Sequence, residues 1–367
     1  MRIWKSIVVL FAVFGLAWGA HGAPKKTSQR RILVVSSYQK DVLWSQETNK
    51  GLCAALLKFR YFENSAQAEE FTNKDYIETP RVVIKKMWMD TKRMSNKGEM
   101  DDASLLVYRY AKSFKPDLIL LGDDEAVEFV GTKFLDSRIP IVFWGVNITP
   151  VKYGLVDSVT RPGHNVTGVY QPGFYVECLN LLKAVAPGIK TFATISLETS
   201  AGRSHYKGIE YLSRKGALPL KLVATVSTND FELWKTKVLE LRGKVDAFFL
   251  VHYSGLQDRQ GNLVPPEEVA RWYLNNVKIP ETVTIRPFVE HGMLCAVDDS
   301  GYVQGYQAGV IAHDILEKGA KPETYPPVRP KPGASFVNAQ RVRMLGLPPP
   351  SVPGVEKYFE KATVLGE

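Results

Sequence analysis

The sequence predicts an α/β protein made of two doubly wound parallel-sheet lobes joined by a hinge, with a ligand cleft between the lobes. Three observations carry this expectation. Residues Pro116 to Asn147 read as strand, helix, strand; the same alternation recurs along the chain; and 367 residues, 45% of them hydrophobic, exceed what one compact domain usually holds.

In the Pro116 to Asn147 unit, Leu118 to Leu121 is an apolar run closed by Gly122. Asp123 and Asp124 stand where a helix begins, and the side-chain oxygen of either suits the free N–H groups of its first turn. Ala126, Val127, Val130 and Phe134 give that helix one apolar face, and Ile139 to Phe143 form the second run, broken at Gly145. Crossovers in a parallel sheet are right-handed, and ligands gather beyond the carboxyl ends of the strands. Here that rim is Gly122 to Asp124 and Gly145 to Asn147.

At the start of the chain, Arg2 and Lys5 precede an apolar core from Ile7 to Trp18 and the small residues Ala20 and Gly22. This pattern is that of a secretory signal peptide over residues 1–22, cleaved near Gly22 or Ala23, and its apolar run is too short for a comfortable membrane span. The expectation is a soluble, exported protein. The net charge of +9 falls to +7 without Arg2 and Lys5, and much of the excess sits at Lys25, Lys26, Arg30 and Arg31. With no helix-turn-helix and no interleaved aromatic and basic strip, the charge does not indicate nucleic acid. Cys53, Cys178 and Cys295 are odd in number, widely spaced and free of CxxC, which favours buried small apolar residues over a disulfide framework.

Taken in order, Arg31 to Ser37 is a strand, Leu43 to Phe59 a helix, and Tyr61 to Pro80 a polar insertion or frayed helical loop. Val82 to Met89 is the second strand, followed by the turn Asp90 to Arg93 and a helix over Asp101 to Phe114. After Asn147, the turn residues Pro150, Gly154, Pro162 and Gly163 mark the expected hinge. A second lobe follows with strands at Val166 to Tyr170, Thr191 to Leu197, Leu220 to Val226, Ala247 to Tyr253 and Val283 to Pro287. Its helices are Tyr175 to Val185, His205 to Lys215, Phe231 to Leu241 and Pro266 to Val277. Leu294 to Val297 and the helix Gly301 to Lys318 then return to the first lobe. The expected division is residues 31–160 with about 290–330 for the first lobe, 164–289 for the second, and 331–367 as a C-terminal segment packing back on the lobes.

The stretches SSYQKDVLWSQETNKGL, MWMDTKR, PDLILLGDDEAVEFV, IPIVFWGVNITPVKYG, NVTGVYQ and FVNAQRVRMLGLPPP resemble the family of ABC-transporter substrate-binding proteins that includes tryptophan- and tyrosine-binding relatives. The resemblance covers nearly all of the chain after the signal segment and is weakest at residues 58–81 and 253–290. It implies a type I periplasmic binding protein, two lobes with three crossings closing on a small solute, and a membrane permease as partner.

The candidate binding residues each have a structural alternative. Asp123 and Asp124 suit a cationic group, while one of them is expected as a helix cap. Ser37, Tyr38 and Trp44 follow the first strand and can hold and stack a ligand, or pack the first helix. Asp90, Gly145 and Asn147 share the rim. Thr199, Ser200 and Gly202 precede a helix and suit a carboxylate, or ordinary capping. His252 and Tyr253 end a strand facing the cleft. Rim oxygens together with Tyr38 and Trp44 favour an amino acid with an aromatic or branched side chain.

No GxSxG, HExxH, Walker or GxGxxG motif is present, so the expectation is a binding protein without cofactor or metal rather than an enzyme. Two functional classes fit: a transport receptor for an ABC uptake system, or a periplasmic sensory module read by a membrane-bound kinase or receptor. Both would work by shifting an open-to-closed population.

Overall fold

The computed structural model describes residues 29–365 except 95, 148, 172, 350 and 351. The signal peptide expected over residues 1–22 lies outside the described residues. Among those described, no helix is long and apolar enough to cross a membrane.

The first lobe opens with β1 (Arg30–Ser36), α1 (Leu43–Lys58), α2 (Ser65–Asn73), β2 (Tyr76–Glu78), β3 (Val82–Trp88) and α3 (Lys97–Phe114). It continues through β4 (Leu118–Gly122), α4 (Asp123–Glu125), β5 (Ile141–Asn147) and β6 (Val166–Gln171). These strands form one sheet in the order β2-β3-β1-β4-β5-β6, parallel except for β2, which runs antiparallel to β3. The central strands are apolar without a break, as strands covered on both faces should be. Leu118, Ile119, Leu120 and Leu121 are fully buried, alternating between the two apolar clusters that sandwich the sheet.

The second lobe has α5 (Tyr175–Val185), β7 (Thr191–Ser196), α6 (Ser200–Arg214), β8 (Lys221–Ser227), α7 (Phe231–Leu241) and β9 (Ala247–Leu250). It is extended by α8 (Pro266–Asn276), β10 (Glu281–Val283), α9 (Arg286–His291) and β11 (Cys295–Val297). After α10 (Gly301–Lys318), the chain adds β12 (Ser335–Asn338), α11 (Ala339–Met344) and β13 (Val355–Phe359). The second sheet runs β13-β12-β11-β10-β9-β7-β8, with β12 antiparallel to β11.

The chain changes sheets three times: between β6 and α5, between β11 and α10, and between Val328, which bridges to Val169, and β12. Helix α10 lies on α1 in the first lobe at glycine contact distance. A Cβ on Gly51 would fall 1.9 Å from the Tyr302 carbonyl oxygen, and one on Gly305 would fall 1.9 Å from that of Thr48.

Several expected boundaries differ from this architecture. Residues 166–171 pair with β5, so the first sheet extends past 164. The turn-rich stretch 150–163 is therefore not a hinge but a connection within the first lobe. It is held there by His164 between Asp136 (2.8 Å) and Asp157 (3.2 Å), and by the Gly163 N–H on the Glu323 carbonyl. The strand at 295–297 belongs to the second sheet, and only the chain after it returns to the first lobe. Residues 335–359 extend the second sheet by two strands instead of packing across both lobes. The insertion at 61–80 contains α2, capped by Asn64, and the edge strand β2. The strand expected at 283–287 is Glu281–Val283, and Pro287 lies in the first turn of α9, where a missing N–H costs nothing. All three cysteines are free and buried.

Candidate functional site

The carboxyl ends of the two sheets face each other, and the cavity between them is lined from both lobes. From the first lobe come Tyr38 beyond β1, Trp44 on α1, Lys92 beyond β3, Asp123 beyond β4, Asn147 at the end of β5 and Gln171 at the end of β6. From the second come Leu197 and Thr199 beyond β7, Ala201, Gly202 and His205 on α6, and His252 beyond β9. The lobes are closed on each other: Tyr38, Val42 and Trp44 join an apolar cluster with Leu197 and Leu256 of the second lobe. Only about 30 Å³ of the cavity is open to the centre of a water-sized sphere.

Asp123 adopts a left-handed conformation, φ 70°, which Asp tolerates better than most residues. Its carboxylate accepts the Trp44 indole N–H at 2.6 Å. Burial raises its pKa well above the ordinary range; the Trp44 hydrogen bond opposes the rise, and Glu125 and Asp124 add to it. Gly145 must be glycine here, because its φ is +69° and a Cβ would lie 2.4 Å from Asp123 Oδ1. The third acid in the run, Glu125, is pushed up to about 7 by burial and by the charge of Asp124.

Asp124 has a different task. It is fully buried and accepts hydrogen bonds from the Asn147 side-chain amide, the Asn147 backbone N–H (3.3 Å) and the Tyr153 hydroxyl (2.8 Å), with Lys152 Nζ at 2.9 Å. Neither aspartate caps the helix, contrary to expectation. The segment after β4 is a brief α-turn running into a π-helix over Ala126–Val130, and the Ala126 N–H is met by the Ser37 hydroxyl just beyond β1.

Across the cavity, the Thr199 hydroxyl accepts the Gly202 N–H at 3.0 Å and caps α6. His205 Nδ1 lies 2.8 Å from the Tyr175 hydroxyl, and burial pulls its pKa down to about 4. Burial, then Lys92 and His205, hold His252 well below its ordinary pKa, so both imidazoles are neutral at pH 7. Among the described residues, two buried polar atoms of the cavity lining have no partner: Asn147 Oδ1 from the first lobe and His252 Nδ1 from the second. Buried polar atoms are nearly always paired, so these two on opposite walls have hydrogen-bonding capacity left over.

Of the residues singled out from sequence, Tyr38, Trp44, Asp123, Asn147, Thr199, Gly202 and His252 line this cavity. Ser37 is committed to the Gly122 carbonyl and the Ala126 N–H, and Asp124 to its own network. Asp90 pairs with Arg93 at 2.9 Å on the surface. Gly145 backs Asp123 without lining the cavity, and Ser200 opens α6. Tyr253 is buried against Phe288, ring centroids 4.0 Å apart, with its hydroxyl 3.2 Å from His291 Nδ1. Lys92, Gln171, Leu197, Ala201 and His205 were not singled out. The signal for Lys92 was its place just after a strand, in the turn of MWMDTKR.

A family model described as ABC transporter substrate binding protein matches residues 92–350. Several solved structures share the fold. One, from Streptococcus pneumonia, is an ABC domain in complex with L-Trp: TM-score 0.70, 20% identity, 90% of this chain and 100% of that one covered. A ligand-free, open substrate-binding protein with adhesive properties from Clostridium difficile gives a TM-score of 0.62 at 21% identity, covering 90% of this chain and 98% of that one. A conserved domain protein from Vibrio cholerae gives 0.69 at 18% identity, covering 90% and 99%. No curated protein matches the chain by sequence.

Proposed function

Because the chain belongs to the ABC transporter substrate-binding protein family, whose members are solute-binding proteins and not enzymes, we propose that it is the exported receptor of an uptake system that closes on an amino acid with an aromatic or branched side chain. The observation that carries this reading is the pair of orphaned polar atoms, Asn147 Oδ1 and His252 Nδ1, on opposite walls of the inter-lobe cavity. A solute that bonds both stabilises the closed arrangement over the open one, which is all a receptor needs to signal occupancy to a membrane permease.

The rest of the lining selects the solute. Asp123 accepts a donor such as an ammonium, and Tyr38 and Trp44 supply a flat apolar wall. On the facing side the first turn of α6 offers backbone N–H groups at Ala201, with the positive end of the helix dipole behind them. The L-Trp complex from Streptococcus pneumonia supports a solute of this class in the same fold. A thermal-shift screen against amino acids, nucleosides and sugars tests the reading. Aromatic or branched amino acids should raise the melting temperature, with about 2.7 kcal/mol of added stability at 100 times the dissociation constant. A screen in which only sugars or nucleosides stabilise the protein would overturn it.

A further inference from the structure

Among the described residues, Lys92 is the one lysine on the cavity wall, and its surroundings are unusual for an ammonium. It is buried, and among the described residues no carboxylate lies within 4 Å of its Nζ. One of its three N–H donors goes to the Ser254 carbonyl at 2.6 Å, and the charge sits 4.5 Å from the Tyr38 ring centroid. A buried cation with so few acceptors carries a desolvation cost that an anion in the cavity would offset.

The residue also spans the lobes. It follows β3 in the first lobe, yet Ser254 belongs to the second, and Gln257 of the second lobe donates through Nε2 to the Lys92 carbonyl at 3.0 Å. Gly255, at φ +134°, passes so near that a Cβ there would lie 3.3 Å from Lys92 Cδ. The ammonium is thus enclosed by both lobes when they are closed. Its pKa falls to about 8 through burial, with Asp123 and Glu125 acting the other way, so the enclosed group still carries its proton at neutral pH.

We infer that Lys92 is the specificity-determining residue for the solute's anionic group: a carboxylate in the cavity neutralises the ammonium that closure encloses, so the protein favours carboxylate-bearing solutes over matched neutral or cationic ones. This rests on the solute-receptor reading above and adds the charge class that the site selects. Asp123 then offers an acceptor for the solute's ammonium beside the cationic donor Lys92, a pairing that suits a zwitterion.

The test is calorimetry on the wild type, Lys92→Met and Lys92→Arg, using L-tryptophan, L-tyrosine and L-leucine against tryptamine, tyramine and isoamylamine, which lack the carboxylate. The wild type should prefer the amino acid to its amine by about a hundredfold or more, Lys92→Met should shrink that ratio below tenfold, and Lys92→Arg should retain most of it. Melting curves on both variants confirm folding, and the arginine variant separates lost charge from lost packing. A ratio unchanged in Lys92→Met overturns the assignment. If no amino acid binds the wild type, the amino-acid reading fails by itself. Lys92 is then judged on the solutes from the wider screen: anionic ones that lose affinity in Lys92→Met support it, and neutral ones with undiminished affinity overturn it.

Discussion

The two walls of the cavity are built by different devices. The first-lobe wall is a row of strand ends and carries the Lys92 ammonium beside the buried Asp123 carboxyl, with the Asp124 network behind them. The second-lobe wall is a helix start and a loop, and its titratable side chains are neutral at pH 7: His205 and His252, both held down by burial. Charge on one side and neutral hydrogen-bonding groups on the other suggests that the first lobe sets which solute binds, while the second supplies the contacts that register closure. Each of the following outcomes would sharpen or break that division.

The largest expected effect lies within the first-lobe wall. Asp124→Asn removes the charge that faces Lys152 and turns one of the two acceptor oxygens shared by Asn147 and Tyr153 into a donor, and should cost about 2–4 kcal/mol of stability, the scale of a disrupted buried ionic network. Asp123→Asn keeps the backbone conformation and should leave stability closer to the wild type while weakening solute binding by about 1.5–3 kcal/mol. Urea unfolding and calorimetry on the two variants separate these outcomes. If both lose only stability, the charged wall is scaffold and not recognition.

A smaller effect is expected on the opposite wall. Thr199→Ala deletes the α6 cap and should lower stability by about 1 kcal/mol, with part of the loss appearing as weaker solute binding because the first turn of α6 lines the cavity. Chemical denaturation should show a lower midpoint with an unchanged slope. A midpoint equal to the wild type would mean that the cap contributes nothing there.

The smallest effect is away from both walls. Hydrogen bonding to Asp136, with help from Asp157, raises the pKa of His164, so its ion pairs stabilise the protein fully below the ordinary value of 6.5 and are lost as pH rises through the raised value. The pairs are partly exposed, so about 0.2–1 kcal/mol is at stake. Comparing urea midpoints of wild type and His164→Gln at pH 6 and pH 8.5 should show a difference at the lower pH that shrinks at the higher one. This ties residues 150–163 to the first lobe, whereas a hinge there would show no such dependence.

Much of the first-lobe wall was legible in the sequence because parallel strands end at readable punctuation. An apolar run stops, a polar or glycine residue follows, and the geometry of the sheet places those ends on one rim. Tyr38, Asp123 and Asn147 were found in this way. Gln171 obeys the same rule but was missed, because the proline and glycine residues of 150–163 drew the lobe boundary ahead of β6 and assigned that strand to the wrong sheet. Lys92 was passed over because a lysine after a strand looks like any solvated lysine. Only the tertiary fold shows that the loop at residues 254–257 covers it.

The second-lobe wall was harder to read because its groups come from a helix whose start was misplaced. Reading α6 from His205 made Thr199 to Gly202 a preceding turn and His205 a first-turn residue. With Thr199 as the cap, His205 sits more than a turn into the helix, against Tyr175. Tyr253 shows the opposite error. Its position beyond a strand suggested the cleft, but its side chain turns to Phe288 and the interior.

The central claim is that one solute bonds both walls through Asn147 and His252. The most direct measurement is the affinity, by calorimetry, of the tightest solute from the screen for wild type, Asn147→Ala, His252→Ala and the double variant. Each single substitution should weaken binding about five- to a hundredfold, corresponding to about 1–3 kcal/mol per lost buried hydrogen bond. The double variant should lose less than the sum, because a solute released from one wall no longer holds the other. Undiminished affinity in either single variant would contradict a bridging solute.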